Sequence, residues 1–354
     1  MNISLYSTEE CEKIAESADL RYVQDSIPGI LRKKQGKGFV YFSPRGTKIV
    51  DIKELERFNS IVIPPAYQNI WICPYPNGHI QATWRDNKNR KQYIYHPLWQ
   101  EARQKQKFDL MIIFGESLPS IRKHINEVLS KPATLSKQQI ICAILYLLDK
   151  SCIRIGNPVY AQENKTYGLT TLRKRHLTIK EDQAILDFEG KNSKVWHINI
   201  NNKKIVKILK KCEDIPGYEL FKYKDENKDL NTISSQDINL YLKELCNNPF
   251  TAKDFRTWIA SRELLYRLVQ NSIDEAPLTS TKIAISEVAV LLGHTAAICK
   301  KNYLHPELLP TWEKGRLKVW IIKNKRKLIK MDKDSLLLFW LKNACPIVAK
   351  IKET

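Results

Sequence analysis

The feature that most constrains this chain is a change of texture near residue 104. Before it, short aromatic and β-branched runs (GFVYF, IVI, NIWIC, HIQATW, KQYIYH) are set apart by glycine, proline and asparagine turn signals. Five such runs are enough for a small curled sheet or barrel. After it the apolar residues recur at helical spacing. EARQKQKFDLMIIFGESL and LPSIRKHINEVLS are amphipathic, and SKQQIICAILYLLDKSC is apolar enough for a central core helix. Strands followed by helices predict an α+β chain. A small β-rich N-terminal domain is expected over 1–105 and a mainly helical domain over 106–312, followed by a basic C-terminal extension over 313–354. A linker rich in Lys and Gln is expected at 103–110. The helical part holds one β interruption: AILDFEG and KVWHINI alternate across a short turn, a hairpin with Lys191 at its tip.

Two helix starts and one stop are written plainly. Thr251 and Asp254 form a capping box ahead of TAKDFRTWIASRELLYRLV. Ser280 is placed to cap STKIAISEVAVLLG, which Gly293 ends. Thr295 caps a short helix leading to Tyr303.

Charge then speaks about partners. With 58 basic against 38 acidic residues, the net charge of +20 selects a polyanion, with nucleic acid first. Residues 313–354 carry twelve Lys or Arg against four Asp or Glu, so the basicity extends well beyond the tail. The eight cysteines form no CxxC pair or Cys/His cluster, which argues against structural zinc and disulfide scaffolds and suits a reducing compartment. MNISLYSTEECEK lacks the charged-then-apolar order of a signal peptide, so the chain is not expected to be secreted. No apolar run reaches the roughly 18 residues of a membrane span. SLLLFWLKNACPIVA, interrupted by Lys342 and Pro346, reads as a core or docking helix.

Several chemistries lack their motifs. There is no GxxxxGK[ST] loop, no GxSxG elbow and no HExxH, and the acidic residues are unclustered, which weakens a two-metal nuclease. What remains is a series of basic residues at helix ends and turns. Arg154 follows an apolar helix, where a cation complements the helix dipole. Lys191 sits at a hairpin tip, and Lys253 and Arg256 share one helix face. His294 follows the stop at Gly293, and Tyr303 comes nine residues later. Singly, each has an ordinary structural explanation: dipole partner, solvated turn, wet helix edge, cap, packing.

Their order is not generic. Arg, a hairpin Lys, KxxR ("KDFR"), Gly-His and then Tyr resembles the small type IB DNA topoisomerases of poxviruses and bacteria, fold relatives of tyrosine recombinases. DLRYVQDSIPGILRKKQGKGFVYF, IPPAYQNIWICPYPNGHIQATWRD and NRKQYIYHP are similar to that family's β-domain, so the resemblance spans about 19–306. Only the tail after about 312 lacks an evident counterpart.

The resemblance implies an enzyme that relaxes supercoiled double-stranded DNA without ATP. Tyr303 would be the nucleophile, Arg154, Arg256 and His294 the stabilisers of the phosphoryl transition state, and Lys191 the general acid. Lys253 would be a supporting phosphate contact. Arg90, Gln92, Tyr93 and Tyr95 would meet the DNA, presented by one strand to one side. No metal or other cofactor is implied; Mg²⁺ would at most stimulate. Neither a membrane nor an obligatory protein partner is implied, and the chain would act as a monomer closing as a clamp. It would work in the cytoplasm and nucleoid of a bacterium, or in a virion or viral factory. Two alternatives stand beside this reading: a tyrosine recombinase, whose pattern usually reads HxxR, and a non-catalytic DNA-binding protein.

Overall fold

The computed structural model describes residues 6–345 apart from 68, 88, 228 and 274–279. The first five residues of the expected N-terminal domain and the last nine of the expected extension lie outside the described residues. The chain is α+β, and it divides into two compact units at 109/110.

In the first unit, α1 (Thr8–Glu16) begins at a Ser7–Glu10 capping box. Strands β1 (Ile30–Gln35) and β2 (Gly38–Phe42) precede α2 (Ile52–Ser60), which is capped by Asp51. Then come β3 (Trp71–Ile72), β4 (Ile80–Arg85) and β5 (Lys91–Tyr95). The five strands make one antiparallel sheet in the order β2-β1-β3-β4-β5. Ile30, Ile72 and Ala82 on one sheet face meet Phe58 of α2, with Trp84 and Ile94 packed against them. Burying a side chain such as Phe58 contributes about 1.5–3 kcal/mol.

The boundary between the units falls within the expected 103–110 stretch, but that stretch is helical, not an irregular linker. Helix α3 (Pro97–Ser130) runs through it, with Pro119 inside. The two amphipathic stretches read from sequence are thus parts of one helix, and Lys and Gln, good helix formers, continue it where a break was expected.

In the second unit, α4 (Lys137–Ser151) is the central helix, with Ile140 through Leu145 all buried. A short α5 (Pro158–Asn164) leads to the antiparallel sheet β6 (Leu177–Lys180), β7 (Gln183–Gly190) and β8 (Lys194–Ile200). Its alternation is clean: Ala184, Leu186, Phe188 and Trp196 face the core, whereas Asp187 and Val195 face solvent. Next come α6 (Lys203–Asp214), the strand pair β9 (Lys222–Lys224) and β10 (Leu230–Thr232), and α7 (Ser235–Cys246). Helix α8 (Ala252–Ile273) is the second long core helix. It is followed by α9 (Thr281–Leu292), α10 (Ala296–Asn302) and α11 (Leu308–Glu313). Then come α12 (Arg316–Leu328) and α13 (Lys333–Asn343).

The C-terminal helices belong to this second unit. Asp334 of α13 accepts from Trp258 Nε1 (2.8 Å) and Arg262 Nη1 (2.9 Å) and pairs with Arg122 Nη1 (2.8 Å). Burial alone would raise its carboxyl, yet Arg262 and Arg122 hold it below the usual carboxylate range. Leu336, Leu337 and Trp340 are buried, so the described part of the stretch read as a core or docking helix is one; 346–349 lie outside the described residues. Among the described residues, no single helix is long and apolar enough to cross a membrane.

Candidate active site

Each candidate side chain is placed by a backbone device. Helix α4 ends at Cys152 in the left-handed region (φ 57°), which turns the chain so that Arg154 leaves in an extended segment. That segment lies against a second one: Leu169 N–H donates to Arg154 O (3.0 Å) and Thr170 N–H to Ile155 O (2.7 Å). The approach is close at Gly168, where a Cβ would lie 2.6 Å from Arg154 O and 2.5 Å from Gly156 N. Glycine is therefore required there by space, not by conformation.

Lys191 opens the turn between β7 and β8, where Asn192 (φ 61°) and Ser193 (φ 54°) are both left-handed. Two consecutive positive φ values match the right-handed twist of a tight hairpin, so the lysine is carried by a defined turn. Its Nζ lies 5.7 Å from the centroid of the Tyr160 ring.

One half of the expected α8 capping box forms, with the Thr251 amide and hydroxyl both donating to Asp254 Oδ2 (2.7 and 2.8 Å), while Thr251 Oγ1 accepts from the Lys253 amide (3.2 Å) and the Asp254 amide turns to Thr251 O (3.0 Å). Within the next turn Lys253 remains exposed while Arg256 is buried. The Arg256 guanidinium ties two helix ends together: Nη1 donates to Cys152 O after α4, and Nη2 to Leu292 O at the end of α9 (2.7 Å). Both acceptors are carbonyls at the negative ends of helices, which suits a buried cation. Helix α9 stops at Gly293 (φ 64°), and the His294 amide returns to Ala289 O (2.8 Å).

His294 then meets both arginines. Arg256 Nη2 addresses Nε2 at 3.0 Å. Arg154 Nη2 is 3.2 Å from both ring nitrogens, so it is in line with neither lone pair, and it donates to Gly293 O at 3.1 Å. We therefore take Arg256 as the partner of Nε2. Burial, then Arg154, Arg256 and Lys191, push the imidazole down to about 4. The ring is neutral at pH 7 and accepts from guanidinium.

Tyr303 follows the last turn of α10, which Thr295 caps as expected. Its ring centroid is 4.6 Å from that of His294 and 5.3 Å from Arg256 Cζ. Arg154, Lys191, Lys253, Arg256 and Tyr303 line one cavity of about 260 Å³. His294 sits behind it, touching three of them. Tyr160 of α5 and Tyr167 of the loop after it complete a wall that sequence reading missed, because an isolated tyrosine carries no signal of its own.

Among the described residues, no carboxylate lines the cavity. Of the guanidinium nitrogens at this cavity, Arg154 Nη1 and Arg256 Nε are buried and have no hydrogen-bond partner among the described residues. A buried donor left unmade costs about 1–3 kcal/mol, more when charged, and an incoming oxyanion relieves it. Burial, with Arg256 adding to it, lowers Arg154 to about 10, so it stays charged at neutral pH. The cavity is an anion site with a phenol at its wall.

The DNA-contact set expected on one side of β5 divides. Thr83 pairs with Tyr93 and Trp84 with Gln92, so Gln92 lies on the face opposite Tyr93 and Tyr95. Tyr93 and Tyr95 stack (5.8 Å, 8°) beside Lys91. Arg90 precedes the strand, and its Nε (2.8 Å) and Nη2 (2.7 Å) both reach Asp86, which also accepts from Gln92 Nε2 (3.0 Å). The period of two is the reason: adjacent residues cannot share a face.

Comparison with known proteins identifies the family. A family model described as the catalytic core of eukaryotic DNA topoisomerase I matches residues 91–329. Another, the N-terminal domain of bacterial DNA topoisomerase IB, matches 38–86. The chain is 32% identical over 288 residues to DNA topoisomerase 1B of Acanthamoeba polyphaga mimivirus, covering 78% of this chain and 85% of that protein. It is 29% identical to the vaccinia virus DNA topoisomerase 1B, covering 63% and 69% of the two chains. DNA topoisomerase 1 of Candida albicans is 27% identical over 64% of this chain and 29% of its own. The chain belongs to the type IB DNA topoisomerase family. It is an isomerase whose substrate is DNA. The match to 329 also corrects one expectation, since residues 313–329 do have a counterpart in the family.

Proposed function

We propose that this enzyme relaxes supercoiled double-stranded DNA through a covalent 3′-phosphotyrosyl intermediate, with Tyr303 as nucleophile. The phenol oxygen bonds to a backbone phosphorus as the bond to the 5′-oxygen breaks. The phenolic proton is released, and Lys191 delivers one to the departing 5′-oxygen. Once Lys191 recharges from solvent, the proton count is unchanged. The phosphotyrosyl ester conserves the energy of the phosphodiester, so the free strand rotates and is rejoined without ATP.

Charge accumulating on the non-bridging oxygens is met by Arg154, Arg256 and His294, the phosphoryl counterpart of an oxyanion hole. Guanidinium suits this role because its fork binds two oxygens and stays charged. His294 gains a proton most readily when the phosphate offsets the two arginines. Lys253, exposed at the rim, is a supporting phosphate contact. Tyr93 and Tyr95, with Arg90, meet the duplex from the β-rich unit, and the chain works as a monomeric clamp. Fixed cations do the electrostatic work, so neither a metal nor another cofactor is required. The compartment is that of the genome served: cytoplasm and nucleoid, or a viral factory.

The observation that carries this reading is a carboxylate-free cavity where two partly unsatisfied buried guanidinium groups and an imidazole surround Tyr303. The test is relaxation of supercoiled plasmid in EDTA without ATP. Wild type is expected to relax the plasmid and to form a denaturant-stable DNA adduct, and Tyr303→Phe to do neither. An adduct formed by the variant removes Tyr303 from the role.

A further inference from the structure

Ser261 lies fully buried in α8 and holds the chain on both sides of Leu304. Its hydroxyl donates to Tyr303 O (3.2 Å) and accepts from the His305 amide (2.9 Å). The turn that carries Tyr303 is thereby pinned to the helix that carries Arg256.

His305 does not line the cavity, and its ring is buried. Its Nδ1 accepts from the Glu307 amide (3.3 Å), which places the ring proton on Nε2, 3.9 Å from Cys345 Sγ. The ring meets Trp340 of α13 edge-on, with centroids 5.3 Å apart at 87°. Trp340 is itself fully buried. Near its other end α13 is anchored through Asp334 to Trp258 and Arg262, both on α8. One short helix therefore grips α8 with one end and the nucleophile's turn with the other.

We propose that α13 is a brace for the nucleophile: Trp340, acting through His305, presses the Tyr303 turn onto Ser261 and so sets the phenol against Arg256. The inference rests on Tyr303 being the nucleophile. His305 and Trp340 are positioning residues, since neither touches the reacting atoms. Removing the indole takes away the edge-on contact that bears on the His305 ring. The turn then keeps its two hydrogen bonds to Ser261 but loses the packing that presses it there.

The test uses full-length enzyme with ring-labelled tyrosine, read by NMR, and single-turnover strand cleavage at saturating enzyme. The Tyr303 signal is assigned by its loss in Tyr303→Phe. It is sensitive to placement because the His294 ring lies 4.6 Å away. Tyr167, on the cavity wall, is the control. The variants are Trp340→Ala, Trp340→Phe and His305→Asn; the Asn carbonyl can still accept the Glu307 amide.

In Trp340→Ala and His305→Asn the Tyr303 signal is expected to shift or broaden while Tyr167 stays in place. Cleavage should slow by about tenfold or more with DNA Kd within about twofold, as displacement of a reacting group costs rate before binding. Trp340→Phe should restore both. A wild-type Tyr303 signal and cleavage rate in both variants overturns the proposal. So does a joint shift of Tyr303 and Tyr167, which marks general loosening. If Trp340→Ala does not fold, His305→Asn and the milder Cys345→Ala decide in its place. If wild type cleaves no DNA, the phosphotyrosyl reading fails, and the Tyr303 signal judges the brace by itself.

Discussion

In the helical unit, Arg154 and Arg256 are held by main-chain carbonyls and a neutral imidazole, whereas in the β-rich unit Arg90 and Lys91 are each held by a carboxylate. Arg256 donates to Cys152 O and Leu292 O, and Arg154 to Gly293 O. Arg90 is bound by Asp86, and Lys91 by Asp25 at 2.5 Å. Carbonyls orient a cation without cancelling its charge, and a carboxylate does both. The first arrangement keeps its full field for a phosphate at one fixed point. The second must release a carboxylate before a DNA phosphate gains much, which suits contacts that form and break along a duplex.

The sharpest way to break this contrast is Arg256→Lys. The charge is kept, but the fork joining two helix-end carbonyls and the imidazole is lost. Strand cleavage is expected to fall by about 10²–10³-fold, the usual cost of removing a preorganised transition-state donor. DNA binding at moderate salt should hardly change. Near-normal cleavage in single-turnover assays would show that charge alone, without geometry, is what the site supplies.

Gly168→Ala tests the same idea without touching any charge. The new Cβ must displace Arg154 O or the Gly156 amide, both backbone atoms that cannot swing aside. Arg154 shifts with its segment, and a displacement approaching 1 Å costs up to about 10²-fold in rate. Cleavage kinetics and thermal unfolding should be read together. A drop in Tm without loss of rate would mean that Arg154 tolerates movement.

How much of this was legible beforehand varied with the kind of signal. The helix start at Thr251, the stop at Gly293 and the cap at Thr295 were readable because each is settled by residues within a few positions. The order Arg154, Lys191, Arg256, His294, Tyr303 was readable as a pattern, although only the fold could show that two arginines share one imidazole. Helix α3 was misread at 103–110 because a stretch rich in Lys and Gln was taken for a linker, although both residues are good helix formers. Gln92 was misplaced because residue type was allowed to outweigh the strand's period of two. The brace formed by Ser261, His305 and Trp340 was invisible, since its members lie far apart in sequence and look like ordinary core residues.

The neutral His294 gives a pH test of the carbonyl-held site. Its folded value is about 4, below the ordinary 6.5. The unfolded chain therefore takes up the proton first, so the free protein loses this contribution to stability as pH falls from about 6.5 towards 4, and keeps it above 6.5. A bound phosphate reverses the local sign by offsetting Arg154 and Arg256, so the folded value should rise on the DNA complex. NMR titration of His294 with and without duplex is expected to show that rise, and DNA binding by wild type should take up protons between pH 4 and 6.5. An unchanged value in the complex would mean that the imidazole does not face the phosphate.

The smallest effect belongs to the carboxylate-held region and would sharpen its half of the comparison. Asp86→Asn keeps an acceptor for the Arg90 amide (3.0 Å in the wild type) while removing the charge that holds the Arg90 side chain. If Arg90 is a phosphate contact restrained by Asp86, non-covalent affinity should rise by about threefold to tenfold, and the slope of log K against log salt should steepen by about one. Cleavage of already bound DNA should not change, because the helical unit's cations are untouched. An unaltered salt slope would remove Arg90 from the DNA surface and make Asp86 a purely local clasp for the turn before β5. The charge carried by that sheet would then rest on Lys91, whose partner Asp25 belongs to a different part of the chain and can be replaced independently.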